Sequence, residues 1–371
     1  MKRKISILGS TGSVGTQTLE LIRENINDFE IISLTGGNNE SKLEEQIHKF
    51  NPSYYFSNSD SNYSNGRRLY SYEEILKYDD SDLMIIALSG IAGINPTIIS
   101  VQQGRRIALA NKESLVAAGD ILIQEAKSNG AEIIPLDSEH SAIWQCINKE
   151  EKESIESIIL TASGGALRDM NFDDMKNITV DRVLKHPTWE MGKKITVDSS
   201  TLINKVFEVQ EASNLFTLPL DKIKVLFHRE SIIHGMAQFK DGNIIALLSY
   251  PDMKIPILYG LYYPQRSSSS VIKKIDLNLM SNLSFQSLPE EKLGWYNFGL
   301  EVLKNSKLSP SFLVGSDQAV VEMFLDKKID YFQMLDIMKK VYDDLNCSGN
   351  YSLESIKNMI SMSYQKTLEK T

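Results

Sequence analysis

The chain has 371 residues, 42% of them hydrophobic and 24% charged, with 40 basic and 48 acidic side chains and a net charge of −8. That composition excludes collagen-like, disordered and disulfide-framework proteins, and the length is too great for one compact core. The acidic balance argues against a nucleic-acid partner, although a few local cations are enough to hold one phosphate.

From the N-terminus, short apolar runs alternate with amphipathic stretches. Ile5–Leu8, Ile31–Leu34, Leu83–Leu88, Ile107–Leu109 and Glu132–Leu136 read as parallel strands buried on both faces. Val14, Leu19, Leu21 and Ile22 form one helical stripe, and Leu115, Ala118, Ile121, Leu122 and Ala126 another. This alternation predicts an α/β fold whose first domain, residues 1–136, is doubly wound and Rossmann-like. Over 137–263 the texture becomes α+β, with strands at Ile158–Leu160, Lys224–Phe227 and Ile244–Leu248. That span carries a long irregular piece, about 163–198, which is expected to be a flexible lid over substrate. Residues 264–288 read as a linker, and 289–371 as a C-terminal helical domain. The N-terminal apolar run is cut by Gly9 and the longest one is interrupted by Ser89, Gly90 and Gly93. Neither is a signal h-region or a bilayer span, and Cys146 and Cys347 read as reduced thiols, so a cytoplasmic protein without a membrane partner is expected.

Several motifs carry chemistry. Gly9-Ser10-Thr11-Gly12-Ser13-Val14-Gly15 lies between the first strand and the first helix, where a glycine-rich turn lets backbone approach a pyrophosphate. The second strand runs into Leu34-Thr35-Gly36-Gly37-Asn38-Asn39 with no acid before Glu40, which favours NADP(H) over NAD(H). Asn111-Lys112-Glu113-Ser114 follows another strand and either orients a ligand or caps the next helix. Asp137 and Glu139, two residues apart at a strand end, suit a divalent cation as hard oxygen donors. Helix capping is the alternative there, and His140 reads as a packing residue. Thr161-Ala162-Ser163-Gly164-Gly165 is either a phosphate nest or a plain turn. His186-Pro187-Thr188-Trp189-Glu190-Met191-Gly192 either covers a ligand or makes a small satellite core. Asp198 to Glu208 reads as the opening of a helix that puts Asn204, Lys205 and Glu208 near one face, for phosphate and metal together or as an ordinary solvated face.

In this order and spacing the runs GSTGSVG, ANKE, PLDSEH, TASGG, HPTWEMG, VDSSTLINKVFE, ESIIHGM and YPDMKIPI resemble the 1-deoxy-D-xylulose 5-phosphate reductoisomerase family over residues 4 to 265. The resemblance implies conversion of a small phosphorylated sugar to 2-C-methyl-D-erythritol 4-phosphate with NADPH and Mg²⁺, Mn²⁺ or Co²⁺, usually in a homodimer. It implies Asp137, Glu139 and Glu208 as metal ligands, and Ser138, Ser163, Ser199, Asn204 and Lys205 as substrate contacts, the last four at the phosphate. Thr11, Gly12, Ser13, Val14, Gly36, Gly37, Asn38, Asn111, Glu113 and Gly192 are the implied cofactor contacts. Lys112 is implied at the substrate hydroxyls, with Lys112 and Glu139 as the candidates for proton handling, and His186, Trp189 and Met191 belong to the lid. This chain departs from the family's habit at Gly37, where Lys or Arg is common, at Arg229-Glu230, at Ser249-Tyr250, and at Gly315-Ser316-Asp317-Gln318, where Ala-Ala-Asn-Glu is frequent. Two rivals remain at this point: a semialdehyde dehydrogenase, which needs a nucleophilic cysteine, and a non-catalytic NADP(H)-binding regulator.

Overall fold

The computed structural model describes residues 1–59, 61–170, 174–175, 178–189, 191–280, 282–288, 290 and 293–370. The first part of the chain forms β1 (Arg3–Leu8), α1 (Ser13–Glu24), β2 (Phe29–Gly36), α2 (Glu40–Phe50), β3 (Tyr54–Ser57), β4 (Arg67–Leu69) and α3 (Tyr72–Tyr78). It continues with β5 (Leu83–Ile86), α4 (Ile94–Gln102), β6 (Arg106–Leu109), α5 (Lys112–Asn129), β7 (Glu132–Pro135) and α6 (Ser138–Ile147). The seven strands are parallel, in the order β4-β3-β2-β1-β5-β6-β7. Strand order reverses at β1, so its carboxyl end is the switch point at which doubly wound sheets bind ligands. The apolar strand runs account for this sheet: Ile5, Ile7, Leu8, Leu83, Ile86, Ile107 and Leu109 are buried. Strands β3 and β4 escaped the sequence reading because Tyr54-Tyr55-Phe56 and Arg67-Arg68-Leu69 are short and lack an aliphatic run.

The second part adds β8 (Ile155–Ala162), α7 (Val180–Val183), α8 (Lys193–Thr201), α9 (Ile203–Phe216), β9 (Ile223–Phe227), β10 (Ile233–Phe239), β11 (Ile244–Leu248) and α10 (Lys254–Tyr262). It ends in four helices, α11 (Leu293–Asn305), α12 (Ser309–Leu325), α13 (Tyr331–Asp344) and α14 (Leu353–Leu368). A four-stranded mixed sheet has the order β11-β10-β8-β9. One of its faces packs Ile158, Leu160 and Ala237 against Ile143, Val209, Ala212 and Phe216. Among the C-terminal helices, α12 lies along α14, and nearly all of its residues from Ser309 to Phe324 are buried. Two expectations need correction. The irregular piece is interrupted by α7 and closes on α8, whose Thr196, Val197, Asp198 and Ser200 are buried and give the segment its own packing face. Nor does one helix run from Asp198 to Glu208: Leu202 adopts φ +67 and separates α8 from α9.

By internal packing the chain divides into two compact units. Residues 1–111, 122–141 and 252–275 form the first; residues 112–121, 142–251 and 276–371 form the second. The expected boundaries at 136, 263 and 288 follow the chain, whereas the units interleave along it, because α5 and α6 each have one part in either unit. No helix among the described residues is long and apolar enough to cross a membrane.

Candidate active site

In the first unit the glycine-rich turn follows β1 directly. Gly9 has φ +91, and a Cβ there would lie 2.6 Å from the Ala87 carbonyl; a Cβ on Gly15 would lie 2.4 Å from the Gly9 carbonyl. Glycine is therefore required for β1 and α1 to approach this closely. The turn is held from β2, with Gly9 N donating to Thr35 Oγ1 at 2.9 Å and Ser10 N to the Thr35 carbonyl at 2.8 Å. Gly12 is the N-cap of α1 and offers the first turn no side-chain acceptor. That polarity fits a pyrophosphate, whose oxygens supply the acceptor that a capping side chain otherwise would. Thr11 is half-buried, with Cγ2 beside Gly36, while Gly12 and Ser13 are exposed and Val14 is half-buried.

At the end of β2, Gly37 opens onto space with no atom near a Cβ, and Asn38 is exposed. Glu40 accepts from Ser61 Oγ at 3.1 Å, and Asn39 caps α2 through Lys42 N, so the nearest acid is engaged locally. Asn111 is buried and donates from Nδ2 to the Leu88 and Gly90 carbonyls at 3.0 and 2.8 Å, a link to the loop after β5. Also in this unit, Asp137 Oδ1 accepts from Glu139 N at 3.3 Å and lies 3.4 Å from His140 Nδ1, and Ser138 Oγ donates to Glu139 Oε2. Asp137 thus caps the start of α6, as the alternative reading had it, yet Asp137, Ser138 and Glu139 remain only half-buried while His140 is fully enclosed. Asp137 and Glu139 both carry carboxylate oxygens, donors of the type Mg²⁺ takes.

The second unit holds a buried charge cluster. Lys112, the first residue of α5, places Nζ 2.7 Å from Asn204 Oδ1 and 3.3 Å from Glu208 Oε1. Asn204 Nδ2 also donates to Glu208 Oε1, while Lys205 Nζ donates to Glu208 Oε2 and, at 2.6 Å, to the Thr161 carbonyl. Lys112, Lys205 and Glu208 are 6%, 4% and 1% exposed, so the solvated-face reading of this helix is wrong. Two ammoniums, on Lys112 and Lys205, and the Asn204 amide gather here around Glu208, and cationic donors of this kind suit a phosphate. The restart of the helix at Leu202 sets the face: Lys205 N and Val206 N both donate to the Leu202 carbonyl.

Beside this cluster, Ser163 follows β8 and its Oγ lies 3.2 Å from His186 Nε2. His186 Nδ1 accepts from Thr188 N at 3.1 Å and Trp189 N at 2.9 Å, which places the ring hydrogen on Nε2 and aims it at Ser163. Burial, with Arg168 adding to it, lowers the His186 pKa to about 4, so the ring is neutral. A Cβ on Gly165 would lie 2.6 Å from the Ser199 carbonyl, so the 163–165 turn packs directly on α8 at Ser199. Trp189 meets His234 edge-on at 6.0 Å, a contact the sequence reading missed; Met191 is half-buried, and Glu190 lies outside the described residues. Gly192 caps α8. Glu113 pairs with Lys194 at 3.5 Å. Cys146 and Cys347 are both buried, and burial raises both thiols, that of Cys146 to about 11, which speaks against the activated nucleophile that the semialdehyde dehydrogenase reading needs.

Profiles of known families cover most of the chain. Residues 5–119 match 1-deoxy-D-xylulose 5-phosphate reductoisomerase, residues 133–216 match the C-terminal domain of that enzyme, and residues 248–365 match the DXP reductoisomerase C-terminal domain. The chain belongs to the 1-deoxy-D-xylulose 5-phosphate reductoisomerase family. A family member from Clostridium perfringens is 40% identical over 96% of both chains, and one from Thermoanaerobacter pseudethanolicus is 41% identical, again over 96% of both. Among solved structures, a DOX-P reductoisomerase in complex with NADPH, fosmidomycin and magnesium has a TM-score of 0.94 at 33% identity, covering 99% of this chain and 98% of its own. The Zymomonas mobilis enzyme in complex with NADPH has a TM-score of 0.90 at 30% identity over 100% and 99% of the two chains.

Proposed function

We propose that this chain converts 1-deoxy-D-xylulose 5-phosphate and NADPH to 2-C-methyl-D-erythritol 4-phosphate, by a skeletal rearrangement followed by hydride transfer. The observation that carries this reading is the buried meeting of Lys112, Asn204, Lys205 and Glu208 in a chain of this family. When bound, a divalent cation (Mg²⁺, Mn²⁺ or Co²⁺) polarises the substrate carbonyl as a Lewis acid, and NADPH supplies the hydride.

The chain's own residues do the rest. Asp137, Glu139 and Glu208 are the proposed carboxylate donors to the cation. Lys205, with Ser163, Ser199 and Asn204, holds the substrate phosphate, and Ser138 contacts the remainder of the sugar. Lys112 binds the substrate hydroxyls and, with Glu139, moves protons during the rearrangement. The neutral His186 directs its Nε2–H toward Ser163 and adds a donor without adding charge. Trp189 and Met191 exclude water as phosphate binding, remote from the reacting carbons, draws the 163–198 segment closed. Thr11, Gly12, Ser13, Val14, Gly36, Gly37, Asn38 and Asn111 are the proposed cofactor contacts in the first unit, with Glu113 and Gly192 in the second.

We further propose a homodimer acting in the cytoplasm. The dimer is supported by β11, an edge strand on which Ile244, Ile245 and Leu248 are exposed by 52%, 42% and 39%. An apolar, unpaired strand edge of this kind needs a cover. The test of the reaction follows NADPH oxidation with 1-deoxy-D-xylulose 5-phosphate, with Mn²⁺ added and then with excess chelator. Metal-dependent oxidation yielding methylerythritol phosphate is expected. A folded, NADPH-binding sample that does not turn over would instead mark a non-catalytic cofactor-binding protein.

A further inference from the structure

Lys194, on α8 just beyond Gly192, enters the interior of the second unit. Its ammonium lies 2.6 Å from Asp198 Oδ2, 2.7 Å from Asp317 Oδ2 and 3.5 Å from Glu113 Oε1. None of the four side chains is more than 10% exposed. The Phe207 ring of α9 lies 5.3 Å from the ammonium, so that side is apolar. From α13, Tyr331 meets Ser200 Oγ at 3.3 Å; burial raises its phenol well above the usual range, so it adds no charge. Two ionised aspartates against one ammonium would leave a negative charge uncompensated in the interior, where desolvation makes it costly. Asp198 Oδ1 is buried with no hydrogen-bond donor among the described residues, so negative charge is least tolerated there. Both aspartates reach the same nitrogen and therefore stand close enough to repel.

We propose that Asp198 and Asp317 hold one proton between them at neutral pH, and that the resulting cluster with Lys194 and Glu113 is a positioning device for the active site. This rests on the placing of Lys112 and Ser199 at the substrate. Glu113 directly follows Lys112 on α5, and Asp198 directly precedes Ser199 on α8, while Asp317 belongs to α12. One ammonium thus ties the two segments that present substrate contacts to a buried C-terminal helix. Burial raises the Asp198 acid, and the Asp317 charge adds to it, to about 8 in spite of Lys194. Burial likewise raises Asp317. Burial works against the Lys194 ammonium, yet the surrounding carboxylates raise its pKa and keep it charged.

An infrared pH titration of the whole protein, run beside steady-state kinetics, tests this. A carboxylic-acid carbonyl band is expected to persist at neutral pH in the wild type, to fade on the alkaline side, and to be missing from both Asp198→Asn and Asp317→Asn. The wild-type kcat/KM is expected to fall as that band fades, and Asp317→Asn, which needs no shared proton, to move the fall upward by about one pH unit or more. A wild-type spectrum without a band sensitive to these substitutions overturns the shared proton. A band that both substitutions remove while the alkaline limb stays in place overturns the positioning role. A wild type that turns over no 1-deoxy-D-xylulose 5-phosphate sinks the proposed reaction, and the band still decides the proton.

Discussion

The two units build their functional surfaces from different materials. In the first, the candidate cofactor turn is mostly backbone: glycines that allow β1 and α1 to touch, and a helix start with no capping side chain. In the second, the candidate substrate groups are buried or half-buried side chains from α5, the turn after β8, α8 and α9: Lys112 bonds to Asn204, Ser163 meets His186, and Lys205 reaches the Thr161 carbonyl. A backbone site is a contiguous motif because a turn is local. A side-chain site is scattered because opposite charges must come from different directions to neutralise one another in the interior.

That contrast can be broken by substitution, and the largest effect is expected at Glu208. Glu208→Gln should lower kcat by at least about 100-fold while circular dichroism stays native, since it removes a proposed donor to the cation and the partner of two lysines. A residual rate near wild type would remove Glu208 from the chemistry. Lys205→Ala should cost about 10–100-fold in kcat/KM, mainly through KM, as expected for one lost charge-assisted contact to phosphate. An effect confined to kcat would move Lys205 away from the phosphate. In the first unit, Gly15→Ala should destabilise the fold by about 1–3 kcal/mol in urea denaturation and weaken NADPH binding, because its Cβ overlaps the Gly9 carbonyl. Unchanged NADPH affinity would mean that this turn is not the cofactor cradle.

Two smaller effects sharpen the picture. Leu248→Glu should shift sedimentation from dimer toward monomer, because it puts charge on the exposed edge of β11; an unchanged coefficient would place any interface elsewhere. His186 and His234 are both lowered to about 4, chiefly by burial. The unfolded chain then binds more protons than the folded one, so their contribution is complete above the ordinary histidine pKa of 6.5 and is lost as pH falls toward 4. Replacing His234 with Gln should flatten part of that acid-side loss in thermal melts, and a melt profile with the same slope would assign it to other groups.

Much of this was legible in the residues themselves. Uninterrupted aliphatic runs specify parallel strands because both faces must be buried, and five of the seven strands of the large sheet follow from that alone. GSTGSVG specifies a close strand-to-helix turn because only glycine fits it. Asn204, Lys205 and Glu208 fall near one helical face by periodicity. The chain could not say whether that face was wet or dry, since burial depends on what packs over it. It also hid the break at Leu202, where a leucine with positive φ is held by tertiary packing against its local preference. The Lys194 cluster was invisible for the same reason: Glu113, the Lys194–Asp198 pair of α8 and Asp317 are ordinary charged residues in three separate stretches. Local composition determined the elements, the candidate cofactor turn and the candidate acids of this protein. The partners of its buried charges were decided only by the fold, because Coulomb energy and desolvation depend on distances through space that sequence separation does not encode.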